Sequence, residues 1–194
     1  TGSAWTSSAA AAGGAWTIIG SPSELAHGSS TVNIDFTNLT SYRQYIFVVD
    51  NERSSGQAYH LAMRFSNNNG TSFTSSSNYG CANRTQQKTS ETMTGGEGLS
   101  EINIGAVGLT SGQDSYSSGT YVIWFTPNPS TGWSSVHWSG FNSGGSGDCQ
   151  HIDGSGFLKD VSSVGTAVDA VQFRREGNSA IGQIRISLYG LSHT

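Results

Sequence analysis

From Ala15 onward apolar and polar residues alternate with a period of two. Val32, Ile34 and Phe36 interleave with Asn33, Asp35 and Thr37, the pattern of a strand with one wet face. Residues 42–50 (YRQYIFVVD) are apolar on both faces in their second half, which predicts a central strand covered twice. Tyr59, Leu61, Met63 and Phe65 alternate with His60, Ala62 and Arg64, and Asn67-Asn68-Asn69-Gly70 then supplies a turn. Residues 100–107 carry Ile102 and Ile104 on one face. Residues 120–126 (TYVIWFT) are again two-sided and stop at Pro127-Asn128-Pro129. Residues 133–141 bear aromatics on both faces. The last two strands fall at 168–174 and 181–189, with Gly177-Asn178-Ser179 predicted to join them as a hairpin.

This amounts to nine or ten short strands with no amphipathic helix of three turns. The expected fold is all-β: an antiparallel β-sandwich, jelly-roll-like, preceded by a short extended N-terminal arm. Residues 1–14 (TGSAWTSSAAAAGG) form the arm and residues 15–194 the single domain. The polar stretches 71–98 and 143–156 read as long loops, the kind that carry function or touch a neighbour.

Composition narrows the function. Charged residues are 11% of 194, against a usual share of about 25%, and Gly accounts for 26 positions. Both values argue against coiled coils and helical bundles. No apolar run approaches the ~18 residues of a membrane-spanning helix. The net charge of −4 and the lack of a basic tract argue against a nucleic-acid binder. The opening residues show neither the basic nor the apolar part of a signal peptide. Cys81 and Cys149 could form at most one bridge and define no framework.

Catalytic motifs are absent from the sequence. It contains no Gly-x-Ser-x-Gly elbow, no phosphate loop and no His-Glu-x-x-His. The densest polar cluster is Asp148-Cys149-Gln150-His151-Ile152-Asp153. At strand spacing His151 and Asp153 share a face, but a metal needs a third ligand, and neither metal nor cofactor is expected. Nothing in the spacing of the carboxylates pairs two of them for glycoside hydrolysis.

Binding signals are softer. Trp124, Trp133, Trp138, Tyr116 and Tyr121 lie close in sequence, and aromatic faces stack on sugar rings while amides and carboxylates satisfy hydroxyls. A glycan site would draw on Trp133, Tyr116, His137, Asp148 and His151. Alternation puts Trp133, His137 and Phe141 on one face and Val136 and Trp138 on the other. One set is core, and the other is wet, interfacial or ligand-facing. Tyr45 and Phe47, on a face expected to be wet, imply further cover by a loop or another subunit. Trp5 in the arm is suited either to anchor on a partner or to fold back on its own domain. Low charge with abundant Ser, Thr, Asn and Gly favours an oligomer.

Three blocks carry a family resemblance. The first is Trp16-Thr-Ile-Ile followed by residues 33–49 (NIDFTNLTSYRQYIFVV). The second is 61–73 (LAMRFSNNNGTSF) with Tyr79. The third is 170–191 (AVQFRREGNSAIGQIRISLYGL), the most specific. In this order the chain resembles small β-rich structural proteins of tailed bacteriophages, marine ones especially, known as tail-fibre or virion structural proteins. The resemblance implies a non-enzymatic component of the virion surface, assembled in the host cytoplasm and commonly a homo-oligomer such as a trimer. Its implied partners are other virion proteins of tail or capsid, with neither nucleic acid nor membrane insertion. The expected role is host attachment through a surface glycan. The alternatives are a capsid decoration protein, a secreted carbohydrate-binding module and, more remotely, a glycan-degrading enzyme. The chain departs from long fibres in having no shaft.

Overall fold

The computed structural model of the chain describes residues 16–29, 33–53, 59–75, 77–87, 90–107, 118–127, 134–143, 149–158, 167–175 and 182–191. Thirteen strands run through them, in two antiparallel sheets of unequal width. In the wide sheet, β1 (Trp16–Ile18) and β2 (Ser23–Ser29) lie end to end along one side of β13 (Gly182–Leu191). On the other side of β13 follow, in order, β4 (Gln44–Arg53), β9 (Ser118–Thr126), β10 (Ser134–Ser143), β11 (Cys149–Leu158), β6 (Tyr79–Gln87) and β7 (Ser90–Leu99). The narrow sheet has the order β3 (Asn33–Phe36), β12 (Ala170–Arg175), β5 (Tyr59–Ser66) and β8 (Ile102–Val107).

The sheets pack face to face because alternate residues of each are apolar. Tyr45, Phe47 and Val49 of β4, Tyr121, Ile123 and Phe125 of β9, and Ile184, Ile186 and Leu188 of β13 are buried. They meet Leu61, Met63 and Phe65 of β5 and Val171 and Phe173 of β12 in one continuous core. Aromatic rings bridge the layers: Phe47 lies 5.0 Å from Phe173 and 5.1 Å from Phe36, and Phe65 lies 5.0 Å from Phe125. The turn at Asn69 (φ 54°) and Gly70 (φ 80°) falls where the run of three asparagines predicts it. The Oδ1 of Asn69 accepts from the Asn38 N–H at 2.7 Å, and its own N–H donates to Asp169 Oδ1 at 2.9 Å.

Several expectations are corrected. Tyr45 and Phe47 do not await a loop or a second subunit. They are 1% and 0% exposed because the narrow sheet of their own chain covers them. The last two strands form no hairpin: β12 pairs with β3 and β5, whereas β13 pairs with β1, β2 and β4 in the other sheet. The reason is that β12 is buried on both faces along its whole length and so belongs inside a sheet with cover on each side. The stretches read as loops contain strands. Residues 71–98 hold β6 and most of β7, and residues 143–156 hold most of β11, which is a central strand. Glycine hides these strands from a hydrophobicity pattern. Gly154 faces inward, directly opposite Trp138, where a Cβ would meet the indole at 2.5 Å. The aromatic fills the space that the glycine leaves. β7 is exposed from Ser90 to Gly98, as the short β1 is throughout. Among the described residues β7 is paired to β6 alone, at the rim of the wide sheet.

Trp5, Tyr116, Trp133 and Asp148, together with the arm over 1–14, lie outside the described residues.

Candidate functional site

The outer face of the wide sheet carries the side chains that the core does not use. On β9 and β10, Trp124 and His137 are direct cross-strand partners, so both project to this face. Their rings stack with centroids 5.5 Å apart and planes inclined by 30°. Beside them is a depression of about 410 Å³ lined by Gln44, Thr126, Ser135, Ser155 and Phe157 as well as Trp124 and His137. Its side walls come from β4, β9, β10 and β11, four neighbouring strands whose ladders hold the groups rigidly. None of these seven side chains is an acid, a lysine or an arginine. An aromatic floor among hydroxyls and one amide suits an uncharged, polyhydroxylated ligand.

A second cluster stands further along the same face. His151 Nε2 is 3.1 Å from Ser139 Oγ, and His151 Nδ1 is 3.4 Å from Asp153 Oδ1. The order serine, histidine, aspartate is that of a hydrolytic triad, but the geometry does not complete one. Asp153 Oδ1 is already occupied by Arg84, whose Nε and Nη2 donate to it at 3.2 and 3.0 Å. That bond and the charge of Asp153 push the Arg84 guanidinium above its ordinary pKa. β10 and β11 are each paired on both sides, so their backbone N–H groups serve the ladders rather than an oxyanion. Nor is a metal centre assembled, because no group of three or more His, Cys, Asp or Glu comes together among the described residues.

A third polar group sits at the edge of the core. Glu101 Oε2 forms ion pairs with Arg64 Nη2 at 3.2 Å and Arg174 Nε at 3.4 Å. Burial, and the nearby Arg64 charge, lower the pKa of Arg174, with Glu101 opposing. With side chains at most 18% exposed, this group braces β5 and β12 and offers little to a ligand.

Of the predicted glycan-contacting residues, His137 lies in the depression, and His151 lies on the same face. Ser155, the β11 partner of His137, is four residues from His151 along the strand, a separation of about 13 Å. The two histidines therefore belong to different clusters. Of the neighbouring aromatics, Trp124 faces outward, while Tyr121 and Trp138 are core. Gln44, Thr126, Ser135, Ser155 and Phe157 were missed by sequence reasoning. Ser155 and Phe157 fall in or beside the stretch read as a loop, and only the alternation of Ile152, Gly154 and Gly156 with Asp153 and Ser155 could have placed them. Cys81 is buried and Cys149 exposed, and both are free thiols.

Comparison of the chain with protein-family models, with curated proteins and with solved structures finds no match in any of the three.

Proposed function

We propose that this chain is a non-enzymatic structural protein of a bacteriophage particle, displayed on its surface as a tail-fibre or receptor-binding component that holds a host-surface glycan. The observation that carries this reading is the depression at Trp124 and His137, which sets a stacked aromatic pair among neutral hydrogen-bonding groups on the outward face of a rigid sheet. Aromatic faces take the apolar side of a sugar ring, and Gln44, Thr126, Ser135 and Ser155 can satisfy its hydroxyls. The resemblance of the sequence blocks to phage structural proteins supplies the particle, and an all-β sandwich is compatible with it. Its partners on this reading are other virion proteins and further copies of itself.

Capsid decoration is the second reading, favoured by β7. A strand exposed over Ser90–Gly98 leaves one backbone edge available for a neighbouring subunit to extend.

Two experiments test the proposal together. Fluorescent protein should label cells of the propagating host, and Trp124→Ala should remove the label while leaving the fold intact. Antibody-gold on intact particles should mark the tail. Gold over the head with no labelling of cells makes this a decoration protein, and particles without gold overturn the virion reading.

A further inference from the structure

We infer that the depression is one end of a longer binding face, and that its ligand is an uncharged glycan chain laid across the strands, with one sugar on Trp124 and another on Tyr189. The inference rests on the attachment reading and adds the class and pose of the ligand. Its basis is the register of the wide sheet. Ile18 pairs with Tyr189, Tyr189 with Ile46, Ile46 with Trp124, Trp124 with His137, and His137 with Ser155. Directly opposed residues share a face. These six side chains therefore form a single lateral row over six strands, on the face away from the core. Ile18 is 54% exposed, and Trp16, in the neighbouring row opposite Leu191, is 40% exposed.

The row contains no charged residue. A phosphate backbone or an acidic polysaccharide would find no cation in it, whereas the apolar faces of neutral sugars find Tyr189, Ile46 and Trp124 in sequence. Tyr189 and Trp124 are separated by β4 alone, two strand spacings or about 10 Å apart. That is the advance of two sugar units in an extended chain, so alternate sugars can present the same face to the two rings. The ladders fix this spacing before any ligand arrives, which lowers the ordering cost of binding.

The test is electrophoresis of the full chain through gels containing a soluble β-glucan, a galactomannan or alginate. Oligosaccharides of one to six units from the retarding polymer are then titrated by calorimetry. At least one neutral polymer should retard the protein and alginate should not. Affinity should rise about tenfold between the monosaccharide and the tetrasaccharide. Tyr189→Ala should remove that gain, Tyr189→Phe should restore it, and Trp124→Ala should weaken binding of both the monosaccharide and the tetrasaccharide. Affinity independent of chain length, an unaffected Tyr189→Ala protein, retardation by alginate alone, or retardation by none of the three overturns the inference. So does a dimer in sedimentation that Tyr189→Ala dissociates, because a second copy then occupies the face. Host-cell labelling separates the two levels: labelling that persists without any glycan retardation leaves attachment standing and removes only the glycan chain.

Discussion

Tyr79 of the wide sheet and Phe65 of the narrow sheet are joined through a phenol. The Tyr79 hydroxyl accepts the backbone N–H of Phe65 at 2.8 Å and donates to the Thr74 carbonyl at 3.0 Å. The two rings lie 5.9 Å apart. One side chain thus fixes both the distance between the layers and the course of the chain leaving β5. Tyr79→Phe should cost about 1–3 kcal/mol, because it strands the buried Phe65 N–H. Urea denaturation of the two proteins checks this, and equal midpoints would show that the hydroxyl contributes nothing.

The protein should lose stability in alkali. Burial pushes the Cys81 thiol above its ordinary value of 9.0, and the Tyr45 and Tyr79 phenols above 10.0. Above those values the unfolded chain releases protons that the folded chain retains, so unfolding is favoured as pH rises. The contribution is fully present below pH 9.0 and is lost progressively above it, first through Cys81 and then through the tyrosines. Urea midpoints should be flat from neutrality to about pH 8 as far as these groups are concerned, then fall. In Tyr79→Phe the decline above pH 10.0 should be shallower.

Phe47 lies between the layers and not at a subunit boundary. Phe47→Ala should destabilise the fold by about 3–5 kcal/mol, since it opens a cavity beside Phe36 and Phe173. Its sedimentation coefficient under native conditions should match that of the parent. Dissociation of an oligomer without loss of stability would contradict the layered core.

Glycine positions within strands should respond according to what faces them. Gly154→Ala places a methyl 2.5 Å from both the Ala82 carbonyl oxygen and the Trp138 indole, and should cost about 1–3 kcal/mol or more. Gly96→Ala, on the exposed strand β7, meets nothing closer than Leu99 at 3.9 Å, and its effect should stay within about 0.5 kcal/mol. Thermal unfolding of the pair distinguishes a packed seat from an incidental glycine.

The two thiols should titrate separately. Under native conditions an aromatic disulfide reagent should react promptly with exposed Cys149, and with buried Cys81 only after denaturant is added. Immediate reaction of both would mean that β6 opens readily.

Alternation made some elements legible and left others hidden. In β4 and β9 the inward residues Phe47 and Ile123 and their outward neighbours Val48 and Val122 are all apolar; both strands are central in the wide sheet, but only the inward face is covered, and Val48 and Val122 stay partly exposed. β11 escaped because Gly154 and Gly156 occupy inward positions filled by Trp138 of the neighbouring β10 and by Ile102 of β8 in the facing sheet. Its contribution to the depression, Ser155 and Phe157, escaped with it. β7 escaped because its side chains from Ser90 to Gly98 are exposed, and only Leu99 at its end packs against the core. Sheet membership is the least local property of all. Whether β12 pairs with β13 or with β5 depends on what else must be covered, which two adjacent apolar runs do not encode.

The position of β13 has a consequence for the order of events during synthesis. It lies between β4 on one side and β1 and β2 on the other, so the earliest of the described strands are held in place by the last of them. Until β13 leaves the ribosome, Trp16–Ile18 and Ser23–Ser29 have no ladder partner, and one edge of β4 stands open. The wide sheet can close only after Leu191 has been made, a long-range step that is intrinsically slow. The nascent chain therefore exposes unpaired strand edges from the making of β1 to the making of β13, the condition under which β-rich chains aggregate and in which a chaperone would be of most use.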